Sequence, residues 1–349
     1  MDGTRDTPTT PLDEEPALND LDVTQAVRVS DPQAVKVEVL SIHEQCFPGH
    51  PADDLARAFE LFTRAYRGQL PGYHACDTFY HDVQHCLDIT LAAARLLRGY
   101  QKAHGDLERE RFVLGVVTAL FHDVGYLRRR DEPVRNGAEY TAVHVTRGAE
   151  FMRRELPALG LGALAERAAR IVHYTGYELP LTRIEPLEPG DRLIGELVAS
   201  ADLMAQMADR CYLEKCRDRL FPELVLAGHH AWPMGAPLPS FTSPRDLLLN
   251  TPQFYHRHVR RRLERELGGA FRYAESYFNG RNPYLDGMRD NIRYLEHLIR
   301  SGDLNPLRRR LPPLGSAAAR ALQAQLEARA ERREQAEPSG RRRRRRRAG

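Results

Sequence analysis

An unbroken apolar stretch, FVLGVVTALF from Phe112 to Phe121, runs directly into His122 and Asp123. It is far too short to span a bilayer, which takes about 20 residues, so it has to be buried inside protein. Val113, Val116, Val117, Leu120 and Phe121 mark one face at helical spacing, and a core helix over about Leu107 to Phe121 is expected. That helix brings an imidazole and a carboxylate to the edge of a core, where burial without partners costs several kcal/mol. A metal ion is one solution. The other is a helix C-terminus that favours a histidine, followed by a turn-forming aspartate ahead of Gly125.

Three more segments place polar groups on apolar faces. In FYHDVQHCLDIT, His81 and His85 are four residues apart and Asp88 is three further on, so a helix would present all three on one side. In GELVASADLM, Ile194, Val198 and Asp202 follow one another at four-residue steps, which aligns a carboxylate with two core positions. His144 in EYTAVHVTRGAEFM and His173 in RAARIVHYTGY sit among apolar neighbours, and either alone would read as a satisfied core histidine. Taken together, these nitrogen and oxygen donors suit Fe, Mn, Zn or Mg and do not form a thiolate site. The five cysteines are scattered and odd in number, and are expected to be buried or reduced thiols.

The remaining patterning is helical, with no sustained period-two alternation, and a hydrophobic content of 42% supports a large core. We therefore expect one all-α domain over residues 33–302, with Pro/Gly-rich connectors near 179–190 and 232–244. Residues 1–35 carry 8 acidic residues against 2 Arg, and residues 303–349 carry 14 Arg against 5 acidic residues. With an overall charge of +3, the central region is close to neutral. Residues 1–32 are expected to be a disordered acidic tail. Residues 303–349 are expected to be a basic tail with a short helix from Ser316 and a solvated run from Arg341 to Arg347. The first residues lack a basic and then apolar leader, and a cytoplasmic location without a membrane span is expected.

The ordered series His85, His122-Asp123 and Asp202 resembles the HD-domain superfamily of metal-dependent phosphohydrolases. YHDVQHCLD, from Tyr80 to Asp88, further resembles the YHNxxHAxD signature of its cyclic-nucleotide phosphodiesterase branch, with Asp82 at the Asn position; Tyr126 stands where a further histidine would follow the HD pair. The resemblance covers about residues 40–300. It implies an all-α HD/PDEase-like domain in which His85, His122, Asp123 and Asp202 bind one divalent ion. Asp123 would bridge to a second, with His144 and His173 as the additional ligands, and His81 would protonate the leaving oxygen. The implied activity is hydrolysis of a phosphodiester or phosphomonoester of a nucleotide-like substrate.

Lys215 and Arg219, which follow Asp202, are candidates for holding substrate phosphate, although charge runs after helices usually face solvent. Two other readings remain open. One is a non-catalytic sensor of metal or nucleotide that keeps the HD fold, disfavoured because all six ligands are retained. The other is accessory, sequence-independent contact with nucleic acid through Arg341 to Arg347.

Overall fold

The computed structural model describes residues 18–184, 188–228 and 241–336. The chain is all-α, and the described residues contain no strand, only isolated bridges pairing Leu21 with Arg28 and Tyr73 with Arg129. Its helices are α1 (Pro32–Cys46), α2 (Asp53–Tyr66), α3 (Val83–His104), α4 (Arg109–Phe121), α5 (His144–Glu155), α6 (Gly162–Ile171) and α7 (Pro189–Ala208). Next come α8 (Tyr212–Lys215), a π segment at Cys216–Leu220 and α9 (Phe221–Ala227). After α10 (Pro244–Phe254) lie two more π segments, Tyr255–Val259 and Arg262–Glu266, then α11 (Tyr273–Tyr277), α12 (Pro283–Ser301) and α13 (Ala317–Ala336).

The centre is α3, packed against α1, α4, α7 and α11. Its ends are set by chemistry readable in the sequence. The Asp82 side chain accepts the His85 amide at its start, and Gly105 at its end adopts a φ of 78°, where L side chains are strained. Every residue of α4 from Phe112 to Phe121 is buried, as the apolar run requires. No helix of the described residues is long and apolar enough to cross a membrane, and the five cysteines are free and buried.

Residues 18–32 and 303–322, expected in the two tails, make contacts with the helical domain. Residues 18–32 belong to the fold: Val27 and Val29 enter the core, and the Asp22 carboxylate lies 2.7 Å from the buried Arg95 guanidinium. The acidic segment is held because its charge has a remote partner, which overrides composition. At the other end, Leu314 and Ala319 bury against Phe79, with Leu226 and Leu322 around them. The Arg217 guanidinium donates to the Leu307 carbonyl at 2.7 Å, and the Arg309 amide to Glu214 at 3.2 Å. Helix α13 is the one expected from Ser316, whose hydroxyl accepts the Ala319 amide at 3.0 Å. Residues 1–17, most of the connector at 232–244 and the run Arg341 to Arg347 lie outside the described residues.

Candidate metal centre

Helices α3, α4, α5 and α7 deliver their polar groups to one buried point. His85 comes from the first turn of α3, and His122 and Asp123 from the end of α4. His144 opens α5, and Asp202 lies in α7. The Nε2 atoms of His85 and His122 are each 3.2 Å from Asp123 Oδ2. His144 Nε2 is 3.5 Å from Asp123 Oδ1, and His85 Nε2 is 3.8 Å from Asp202 Oδ1.

The orientation of two of these rings is fixed from behind. His122 Nδ1 donates to the Ala119 carbonyl and His144 Nδ1 to the Thr141 carbonyl, each at 2.8 Å. In the neutral rings the Nε2 lone pairs then point inward, as a metal ligand requires. Asp202 is steadied by Gln206, whose Nε2 donates to Oδ1 at 3.1 Å while its Oε1 accepts from the Tyr80 hydroxyl at 3.1 Å.

His85 Nε2, His122 Nε2 and Asp123 Oδ2 are all buried without a hydrogen-bond partner. Facing lone pairs at this range repel unless a positive charge lies between them. Protons can play that part: burial would lower the His122 pKa, but the Asp123 carboxylate outweighs it and lifts it to about 9. Asp123, whose burial alone would raise it, is held well below the carboxylate range by His122 and His81. A divalent cation fits the same need, and its donors at this point would be imidazole nitrogens and carboxylate oxygens, with the Cys86 thiol also within 4.8 Å of the His122 and Asp123 ligand atoms.

His81 stands apart from the helical spacing argued for it. Helix α3 begins at Val83, so His81 precedes the Asp82 cap and does not share the helix face of His85 and Asp88. It still reaches the cluster: one ring nitrogen lies within 4.8 Å of the ligand atoms of His85 and Asp123. Its Nδ1 pairs with Glu223, from α9, whose other oxygen accepts the amides of Phe79 at 2.8 Å and Tyr80 at 2.7 Å. Burial opposes the charged imidazole, yet Glu223 and Asp123 raise it to about 9. Nothing in the local sequence around Glu223 announced this role.

Close backbone approach brings His144 in. A Cβ on Gly125 would stand 1.8 Å from the His144 carbonyl oxygen, so only glycine lets the turn after Asp123 meet the start of α5. Tyr126, beside it, is no ligand. Its ring stacks on His81 at 4.8 Å and on His144 at 4.4 Å, filling the space between them. Glu178, also missed in the sequence, accepts the amides of Val145 at 2.7 Å and Thr146 at 3.0 Å and so caps α5.

Of the remaining candidates, His173 has Glu178 and Arg153 as its charged neighbours, and its Nδ1 is buried without a hydrogen-bond partner. Arg219 is buried, committed to the Pro312 carbonyl and 3.5 Å from Asp82, the cap of α3. Lys215 is committed to Asp209 in a small polar cavity that shares His85 with the cluster and also contains Asp88. Asp82 thus both caps α3 and faces the Arg219 guanidinium.

Residues 59–136 match the family described as Npun_R2479-like. The matched segment is well under half the chain; it contains His81, His85, His122 and Asp123, and ends before His144 and Asp202. No curated protein matches the chain.

Proposed function

We propose that the chain is a metal-dependent phosphohydrolase of the HD type, acting on a phosphodiester or phosphomonoester of a nucleotide-like substrate. The observation that carries this reading is the convergence, from distant segments, of three buried atoms without partners: His85 Nε2, His122 Nε2 and Asp123 Oδ2. The ligands for a first ion are His85, His122, Asp123 and Asp202. Asp123 Oδ1 and His144 Nε2, 3.5 Å apart, would begin a second position, with His173 as the further candidate for it.

Divalent ions of Fe, Mn, Mg or Zn at these residues would supply a water of lowered pKa and charge relief at phosphoryl oxygens. The chain's own residues do the rest. Asp202 is oriented by Gln206, and His122 and His144 are held in one tautomer by carbonyls. His81, with Nδ1 held by Glu223, keeps Nε2 free to give a proton to the departing oxygen. The free, buried thiols suit a reducing compartment, and we place the protein in the cytoplasm.

The test is elemental analysis of the purified protein together with a substrate panel of bis(p-nitrophenyl) phosphate, cyclic nucleotides and nucleoside monophosphates. Bound divalent metal with turnover of at least one ester is expected. No metal uptake and no turnover after loading with Mn, Fe, Mg and Zn would overturn the reading.

A further inference from the structure

A second concave region, built from other residues, lies where the paired π segments after α10 meet α12. Its volume is about 470 Å³, within the range of about 300–1,000 Å³ typical of small-ligand sites. The floor is apolar, with Tyr255, Leu263, Phe271 and Ile292 buried. Four arginines stand around it: Arg260, Arg272, Arg289 and Arg293.

The charges are unevenly paired. Of the three glutamates that also line the groove, Glu264 lies 3.6 Å from Arg260 and Glu296 lies 2.8 Å from His256. Glu275 has no arginine within ion-pair distance among the described residues. Arg293 is 4.0 Å from Asp290, with both side chains about three-quarters exposed, so that pair is weak. Arg272 lies over the Phe271 ring at 4.7 Å, and no carboxylate of the described residues pairs with Arg272 or Arg289. Two of the four guanidinium groups, those of Arg272 and Arg289, therefore stand without a carboxylate partner among the described residues around an apolar floor.

The backbone beneath is unusual in the same place. Two π segments, Tyr255–Val259 and Arg262–Glu266, fall within a few residues of each other, and such segments are uncommon and concentrate at functional sites. Pro252 inside α10 accounts for a disturbance next to the first segment, but no proline lies near the second.

We propose that this groove binds a small phosphorylated ligand carrying a flat ring, of the nucleotide class. The arginines would take the phosphate oxygens in charge-assisted, two-pronged contacts, the apolar floor would take the ring, and Glu275 would accept a hydroxyl or amino hydrogen. The proposal does not depend on the reading of the metal centre.

The experiment is calorimetric titration of the full-length protein with ADP and with pyrophosphate in EDTA, where metal-dependent turnover is silent. Both probes should bind the wild type, ADP more tightly. The double variant Arg289→Ala/Arg293→Ala, in which both side chains are exposed and the fold is left intact, should weaken both by roughly ten- to a hundredfold. Hydrogen exchange on the wild type gives a check free of mutation: ADP should protect amides within 255–272 and 285–293. Protection confined to 81–85 and 122–126, unchanged affinity in the double variant, or no binding of either probe would each overturn the proposal.

Discussion

Asp22 and Asp123 are both buried aspartates with depressed pKa values, but their surroundings differ in kind. Asp22 Oδ1 accepts the amides of Ala26 at 3.0 Å and Val27 at 2.8 Å, while Oδ2 accepts from the Thr24 hydroxyl at 2.6 Å and faces Arg95 at 2.7 Å. Burial would raise its pKa; Arg95 and these donors bring it down. Asp123 is met by two imidazole nitrogens at 3.2 Å, and its Oδ2 has no hydrogen bond. A carboxylate whose acceptor sites are filled by its own chain is a fastening. One met only by imidazole nitrogens, with an oxygen that has no hydrogen bond, would suit a cation from outside under the proposed function.

Two substitutions would break this comparison if it is wrong. Asp123→Ala should abolish metal binding and lower turnover by about a thousandfold or more, about 4 kcal/mol of barrier. The fold should survive, because the remaining histidines can become neutral. Asp22→Ala should leave a buried guanidinium unpaired and cost about 3–5 kcal/mol in urea unfolding, with unchanged metal stoichiometry in the folded fraction. The opposite pattern, metal loss at Asp22 or retained turnover at Asp123, would erase the distinction.

A third carboxylate sharpens it. Asp88 lines the cavity shared with His85, and burial, reinforced by Asp209 and only partly offset by Lys215, pushes its pKa from 3.8 to about 7. Below about pH 4 it is protonated in both folded and unfolded chains and contributes nothing. Between about pH 4 and 7 only the unfolded chain ionises, so stability falls as pH rises, and above about 7 the penalty is constant. Asp88→Asn should therefore be neutral at pH 4 and stabilising by about 2–4 kcal/mol at pH 8. Urea unfolding of both proteins across that range is the measurement, and an advantage that does not vary with pH would refute desolvation of the Asp88 carboxylate as its cause.

The clustered residues were legible because each interrupts an apolar pattern: His122 and Asp123 end one, and Asp202 continues the step from Ile194 and Val198. The helices were legible for the same reason, aided by local caps such as Asp82 and Ser316. What escaped was pairing between remote charges. Glu223 meets His81 across 142 positions, from the mostly apolar stretch LFPELVLAG, whose pattern does not name a partner. Arg95 looks like a surface arginine in LAAARLLRGY until Asp22 is brought to it, and composition alone assigned Asp22 to a tail. Arg219 suggested a phosphate ligand because its partners, Asp82 and the Pro312 carbonyl, are likewise distant in sequence.

The smallest expected change tests the backbone that supports the centre rather than the ligands themselves. Gly125→Ala keeps every donor, but its Cβ would meet the His144 carbonyl at 1.8 Å and the Gly148 amide nitrogen at 2.7 Å, both main-chain atoms that cannot rotate away. Helix α5 would have to move off the turn, at a cost of about 1–3 kcal/mol. His144, at its first position, would move with it, while His85, His122 and Asp202 stay on α3, the end of α4 and α7. Weaker binding of a second metal equivalent with the first retained is the expected result in a metal titration. Equal weakening of both equivalents would mean that the turn organises Asp123 itself, and no weakening would mean that His144 takes no part in metal binding.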